Sequence, residues 1–77
     1  MIREILAPLD GNVFQLHIRA GDQVEEDEEI LVIEAMKMET PIFAPCDGTV
    51  REIRVKEGDQ VAENDVLVII EEEHIEV

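Results

Sequence analysis

"APLDGNVFQLHIRAGDQVEEDEEILVIE", residues 7 to 34, aligns without a gap on "APCDGTVREIRVKEGDQVAENDVLVIIE", residues 44 to 71, when the chain is slid against itself by 37 residues. Ala7-Pro8 falls on Ala44-Pro45, Asp10-Gly11 on Asp47-Gly48, Val13 on Val50, and Gly21-Asp22-Gln23-Val24 on Gly58-Asp59-Gln60-Val61. Leu16 meets Ile53, Ile18 meets Val55 and Arg19 meets Lys56. Solenoid arrays need three or more such units to bury their faces. Two copies therefore read as two halves of one domain related by a pseudo-twofold, about 5–37 and 42–74 within a single unit spanning 1–77.

Each half opens on Pro and Asp-Gly turn signals, continues as a β-branched run, turns at Gly-Asp, crosses an acidic loop and ends in a second β-branched run. No stretch carries a 3.6-residue apolar stripe, so the domain is expected to be all-β. The apolar positions Val13, Leu16, Ile18 and their mates Val50, Ile53, Val55 are spaced three and then two. Strict alternation cannot produce that spacing, whereas a bulge near Phe14-Gln15 and Arg51-Glu52 can. Short antiparallel strands packed face to face would bury Ile5, Val13, Leu16, Ile18, Val24, Leu31 and Ile33 with Ile42, Val50, Ile53, Val55, Val61, Val68 and Ile70. The runs at 30–33 and 66–70 do not alternate cleanly, which leaves their inward faces open. Pro41 lacks an amide donor and belongs at a strand edge.

A chain of 77 residues buries only about 60% of the surface it exposes when unfolded. Phe14 and Phe43 are the only aromatic residues, so the core is aliphatic. Phe14 has Arg51 as its mate and reads as solvent-facing, either a partner contact or a neutral surface residue. The single cysteine, Cys46, excludes an intrachain disulfide and fits a reducing cytoplasm. No secretory leader is recognisable, and the apolar runs are far too short to span a bilayer. A formal charge of -14 opposes phosphate contacts, so neither nucleic-acid binding nor membrane insertion is expected.

"EAMKMET", residues 34 to 40, lies between two β-prone runs and reads as a hairpin tip. Tight hairpin turns favour Asn-Gly because their central residues need positive φ. Met36-Lys37 is a poor choice by that rule, and turns held in disfavoured conformations often serve function. Lys37 is one of only two lysines, with Lys56. It is either a solubilising charge, with Met36 and Met38 tucked onto the core, or a presented amine bracketed by adaptable thioethers. The repeat places His74 opposite Lys37, so the chain ends should lie together at the pole opposite the tip.

With the duplicated "AP.DG.V" and "GDQV" blocks, "EAMKMET" resembles the biotinyl carrier domain of biotin-dependent carboxylases, within the biotin/lipoyl attachment family, over nearly the whole chain. The resemblance implies a flattened barrel of two four-stranded antiparallel sheets, a barrel-sandwich hybrid. It also implies that Ala35-Met36-Lys37-Met38 is the attachment motif and that Lys37 receives biotin covalently. A lysine side chain is almost wholly protonated at neutral pH, so an external biotin protein ligase must deliver the activated acyl group, as biotinyl-adenylate. The tethered arm would then carry a carboxyl group between biotin carboxylase and carboxyltransferase sites, with no catalytic residue and no metal in this domain. Met36 and Met38 match methionines implicated in fitting the carrier to those enzymes; Glu34 and Glu39 match positions commonly acidic. The gapless repeat leaves no room for the protruding thumb of some acetyl-CoA carboxylase carriers, and no Ala/Pro-rich linker precedes Met1. A free-standing small carrier or an excised domain is the expectation.

A lipoyl carrier shares fold and apical lysine but typically has Asp before the lysine and Ala or Val after it; an acceptor of both cofactors is a further alternative. An unmodified acidic module binding divalent cations through "EEDEE", residues 25 to 29, is disfavoured because its mate "AENDV" is much less acidic and no EF-hand spacing accompanies it. His17, with Arg54 as its mate, reads as a surface strand residue, and His74 falls in an acidic tail. Cys46 reads as a passive small side chain, and Lys56 as a solvated charge before the Gly58-Asp59 turn.

Overall fold

A computed structural model describes residues 1–73. Eight strands follow one another: β1 (Ile2–Leu6), β2 (Gly11–Leu16), β3 (Gln23–Val24), β4 (Glu29–Ala35), β5 (Met38–Phe43), β6 (Gly48–Ile53), β7 (Gln60–Val61) and β8 (Val66–Glu72). They form two four-stranded antiparallel sheets, ordered β1-β8-β6-β3 and β5-β4-β2-β7. Each sheet takes strands from both halves of the repeat: β2 pairs with β7, and its equivalent β6 pairs with β3. The halves are therefore interlocked, and neither could bury its apolar face alone. Among the described residues there is no helix long and apolar enough to cross a membrane.

The slip in apolar spacing is a bulge in both halves. The β2–β4 register shifts between Val13 and Gln15, and the β6–β8 register between Val50 and Glu52. The extra residue, Phe14 or Arg51, is exposed, while Val13 and Val50 are sealed in the core. Pro41 lies on β5, an edge strand, where a missing amide costs no ladder bond.

The core joins both inner faces, and the largest fully buried side chains are Ile30, Leu31, Ile33, Leu67, Ile70, Val13, Val50 and Val68. Ile30 and Leu67 were not among the expected core positions. A register shift between Glu29 and Leu31 lets two successive residues of β4 turn inward, which explains Ile30. Leu16, Ile53 and Val55 are half-buried packing partners where buried positions were expected, because β2 and β6 end at Leu16 and Ile53 and Val55 lies beyond. Val32 lies on the outward side of β4 between Gln15 and Pro41, yet is only 5% exposed.

The connecting loops repeat their hydrogen bonds as faithfully as the strands. Arg19 N–H donates to Asp22 Oδ2 at 2.9 Å, and Lys56 N–H to Asp59 Oδ2 at 3.0 Å. Between them and the next strand, Gly21 and Gly58 adopt φ of 95° and 94°, which only glycine reaches without strain. Across the halves, Ala7 N–H donates to the Asp65 carbonyl and Ala44 N–H to the Glu28 carbonyl, both at 2.9 Å.

Candidate functional site

Met38 is the first residue of β5 and pairs with Ala35, the last of β4, so Met36-Lys37 is a two-residue hairpin turn. Its dihedrals are those the sequence makes costly. Met36 has φ 52° and Lys37 φ 66°, the primed-turn geometry that matches strand twist. Side chains in this left-handed region cost about 1 to 2 kcal/mol each. The β4–β5 ladder that enforces the turn runs without a shift from Leu31↔Ile42 to Ala35↔Met38.

Neither methionine tucks onto the core. Met36 is 94% and Met38 70% exposed, and Lys37 between them is exposed as well. The Lys37 ammonium enters no ion pair among the described residues. Ala35, the remaining member of the tetrapeptide, is half-buried at the end of β4. All four sequence-selected residues are thus together at one apex, with Glu34 and Glu39 directly opposite each other one step below. Like charges so placed repel; Glu39 is exposed and Glu34 half-buried.

Beside the turn lies an open groove lined by Asp10, Gly11, Asn12, Gln60, Val61 and Asp65 on the side away from the hairpin. Sequence reasoning missed this support. Asp10 Oδ1 accepts the Glu63 amide at 2.7 Å, tying the 7–10 turn to the loop before β8. Gly11 is required because a Cβ there would lie 2.6 Å from the Glu34 carbonyl oxygen and 2.8 Å from Ile33 Cγ2. The repeated "AP.DG" was the available signal. Its second copy does the same work: Asp47 Oδ1 accepts the Glu26 amide at 2.7 Å, and a Cβ on Gly48 would strike the Glu71 carbonyl.

The chain ends, so far as described, meet at the far pole. From the tip, β5 runs to Phe43, and the following Asp47 carbonyl accepts the Glu73 amide at 3.0 Å. The Met1 carbonyl accepts the Glu72 amide at 2.7 Å. The expected counterpart of Lys37, His74, lies outside the described residues.

The remaining candidates are accounted for locally. His17 lies just beyond β2 rather than within it, and its Nε2 is 2.9 Å from Glu29 Oε2. Cys46 is buried in the core; burial first, and then the Glu72 carboxylate, pushes its thiol pKa up, which opposes the thiolate a nucleophile needs. Lys56 is exposed at the start of its turn. In the "EEDEE" segment, Glu28 accepts the Glu25 amide and Glu29 meets His17, and no cluster of three or more metal-ligating side chains exists among the described residues.

With this geometry in view, residues 2–70 match the family model described as biotin-requiring enzyme. The chain is similar to the biotin/lipoyl attachment protein of Bacillus subtilis, with 50% identity over 32 residues covering 42% of this chain and 44% of the relative. It is similar to the 1.3S subunit of methylmalonyl-CoA carboxyltransferase of Propionibacterium freudenreichii, with 51% identity over 37 residues covering 48% of this chain and 30% of the relative. The matched stretches span less than half of these relatives. A single-chain, multi-domain long-chain acyl-CoA carboxylase superposes with a TM-score of 0.88 and 25% identity over 94% of this chain and 7% of that one. The urea carboxylase of Kluyveromyces lactis superposes with a TM-score of 0.84 and 30% identity over 91% of this chain and 6% of that one. The fold, the apical tetrapeptide and the extent of the family match lead to one statement: the chain belongs to the biotin/lipoyl family of biotin-requiring enzymes.

Proposed function

We propose that residues 1–77 act as one biotin carboxyl carrier domain, non-catalytic on its own, with Lys37 as the amine that accepts biotin. The observation that carries this reading is the exposed Lys37 at the apex of a turn whose two residues both hold positive φ. The chain keeps an unfavourable turn residue where Asn-Gly would fold more readily. The side chains present fit an amide-linked group. The Lys37 amine is accessible, it enters no ion pair among the described residues, and its neighbours Met36 and Met38 leave an apolar margin on which an incoming enzyme can seat.

Lys37 would serve as acceptor once, for a biotin protein ligase, and as tether thereafter. Attached to Lys37, biotin would supply the ureido ring that carries a carboxyl group between a biotin carboxylase site and a carboxyltransferase site. The β4–β5 ladder holds the base of the arm rigid while the lysine stem moves, and tethering raises the local concentration of the carried group at both partners. Cys46, kept in the core as a thiol, is compatible with a reducing cytoplasm as the working compartment.

Met on both sides of Lys37 favours biotin over lipoate, the cofactor whose carriers typically place Asp before the lysine. Incubation with biotin, ATP and a biotin protein ligase, in parallel with lipoate and a lipoate ligase, followed by intact mass, tests the choice. One biotinyl increment is expected. A lipoyl increment without a biotinyl one would overturn this reading.

A further inference from the structure

All three methionines of this chain stand in solvent: Met1 is 81%, Met36 94% and Met38 70% exposed. None fills a gap in the core, the usual use of this residue. Met36 is held out by its own backbone, because at φ 52° on a two-residue turn no neighbouring strand covers it. Two unprotected thioethers therefore flank the one apical amine. Met1, equally accessible, lies at the opposite pole against the end of β8.

We infer that Met36 and Met38 form a redox-sensitive modification site, at which conversion to the sulfoxide by a hydroperoxide turns off acylation of Lys37. The inference rests on Lys37 being the acceptor. The thioether sulfur attacks the distal peroxide oxygen, the O–O bond breaks and one S=O bond forms; sulfur is oxidised by two electrons, the peroxide is reduced by two, and the proton of the transferred oxygen passes to the departing oxygen, which leaves as water or alcohol.

The consequence follows from polarity. A methionine surface that an acylating enzyme must cover gains a strongly polar oxygen whose hydration would have to be stripped. The backbone does not compensate, since the hairpin ladder fixes where both side chains emerge. Thiol oxidation offers no competing route, because Cys46 is buried and its pKa raised by burial and Glu72. Methionine sulfoxide is enzymatically reducible, so the state can be reset.

The test treats the whole chain with hydrogen peroxide until about half of the exposed methionines are oxidised, as exposure permits. It then exposes the mixture briefly to biotin, ATP and a biotin protein ligase. Avidin separates biotinylated from unreacted chains, and peptide mapping reads the sulfoxide at each methionine in both pools. Sulfoxide at Met36 and Met38 should be enriched in the unreacted pool on the order of tenfold, with Met1 sulfoxide evenly shared. Methionine sulfoxide reductase before the ligase should erase the enrichment. Equal sulfoxide at Met36 and Met38 in both pools would overturn this inference alone, whereas failure of untreated protein to take biotin would overturn the carrier reading beneath it.

Discussion

At the hairpin pole Asp10 accepts the Glu63 amide at 2.7 Å and Gly11 lies against Glu34; at the opposite pole Asp47 accepts the Glu26 amide at 2.7 Å and Gly48 lies against Glu71. The same turn, bond and close approach occur twice. What differs is the cap. One pole closes over a continuous turn that presents Met36, Lys37 and Met38, and the other gathers Met1 and Glu73. The scaffold is thus separable from what is mounted on it, and repetition provides an internal control for every argument about the site.

The largest expected effect comes from crowding the two glycines. Gly11→Ala and Gly48→Ala should each cost about 1 to 3 kcal/mol, the range for overpacking a filled site, read as a lower urea midpoint. Only Gly11→Ala should also slow modification of Lys37, because Glu34 belongs to the hairpin. Equal slowing by both would mean that stability alone governs the site, and the contrast between poles would fail.

A smaller change separates turn strain from use. Met36→Asn places a residue tolerant of positive φ in the turn and should stabilise the fold by about 0.5 to 1 kcal/mol. The same variant should lose ligase turnover through the missing thioether. A variant that is both more stable and equally well modified would show that Met36 is only a tolerated turn residue.

The smallest effect concerns the bulges. Phe14 is 44% exposed and its mate is Arg51, so Phe14→Arg copies the second half into the first. Stability should move by no more than about 0.5 kcal/mol, as for surface positions free of special contacts. A larger loss in thermal unfolding would reveal packing that the exposed position does not suggest.

Much of this architecture was legible because the sequence states it twice. The spacing of Val13, Leu16 and Ile18 was unusual, and its recurrence at Val50, Ile53 and Val55 turned an oddity into two bulges. The turn at Met36-Lys37 was legible for the opposite reason, since its residues contradict what a turn prefers. The buried faces of 30–33 and 66–70 were less accessible. Ile30 enters the core through a register shift between Glu29 and Leu31, and a shift is a property of strand pairing that a single run of apolar letters does not carry. Likewise, Asp27 and Asn64 adopt φ of 70° and 74° at matching loop positions. Their side-chain type tolerates that region, but an acidic loop hides which of its members does so.

The groove beside the tip was illegible for a further reason. Asp10 and Asp65 come from different halves, and the pairing of β2 with β7 and of β1 with β8 brings them together. Cys46 marks a limit of the repeat itself. Its mate Leu9 is half-buried, while Cys46 is sealed in the core, so equivalent backbone does not guarantee equivalent burial.

The proposed carrier role requires that Lys37, and no other amine of this chain, be the point of attachment. Peptide mapping after treatment with biotin, ATP and a biotin protein ligase, on the native sequence, Lys37→Arg and Lys56→Arg, tests it directly. Biotin is expected on Lys37 in the native protein and in Lys56→Arg, and none in Lys37→Arg. Biotin on Lys56 or the amino terminus of the native protein, or persisting in Lys37→Arg, would contradict it.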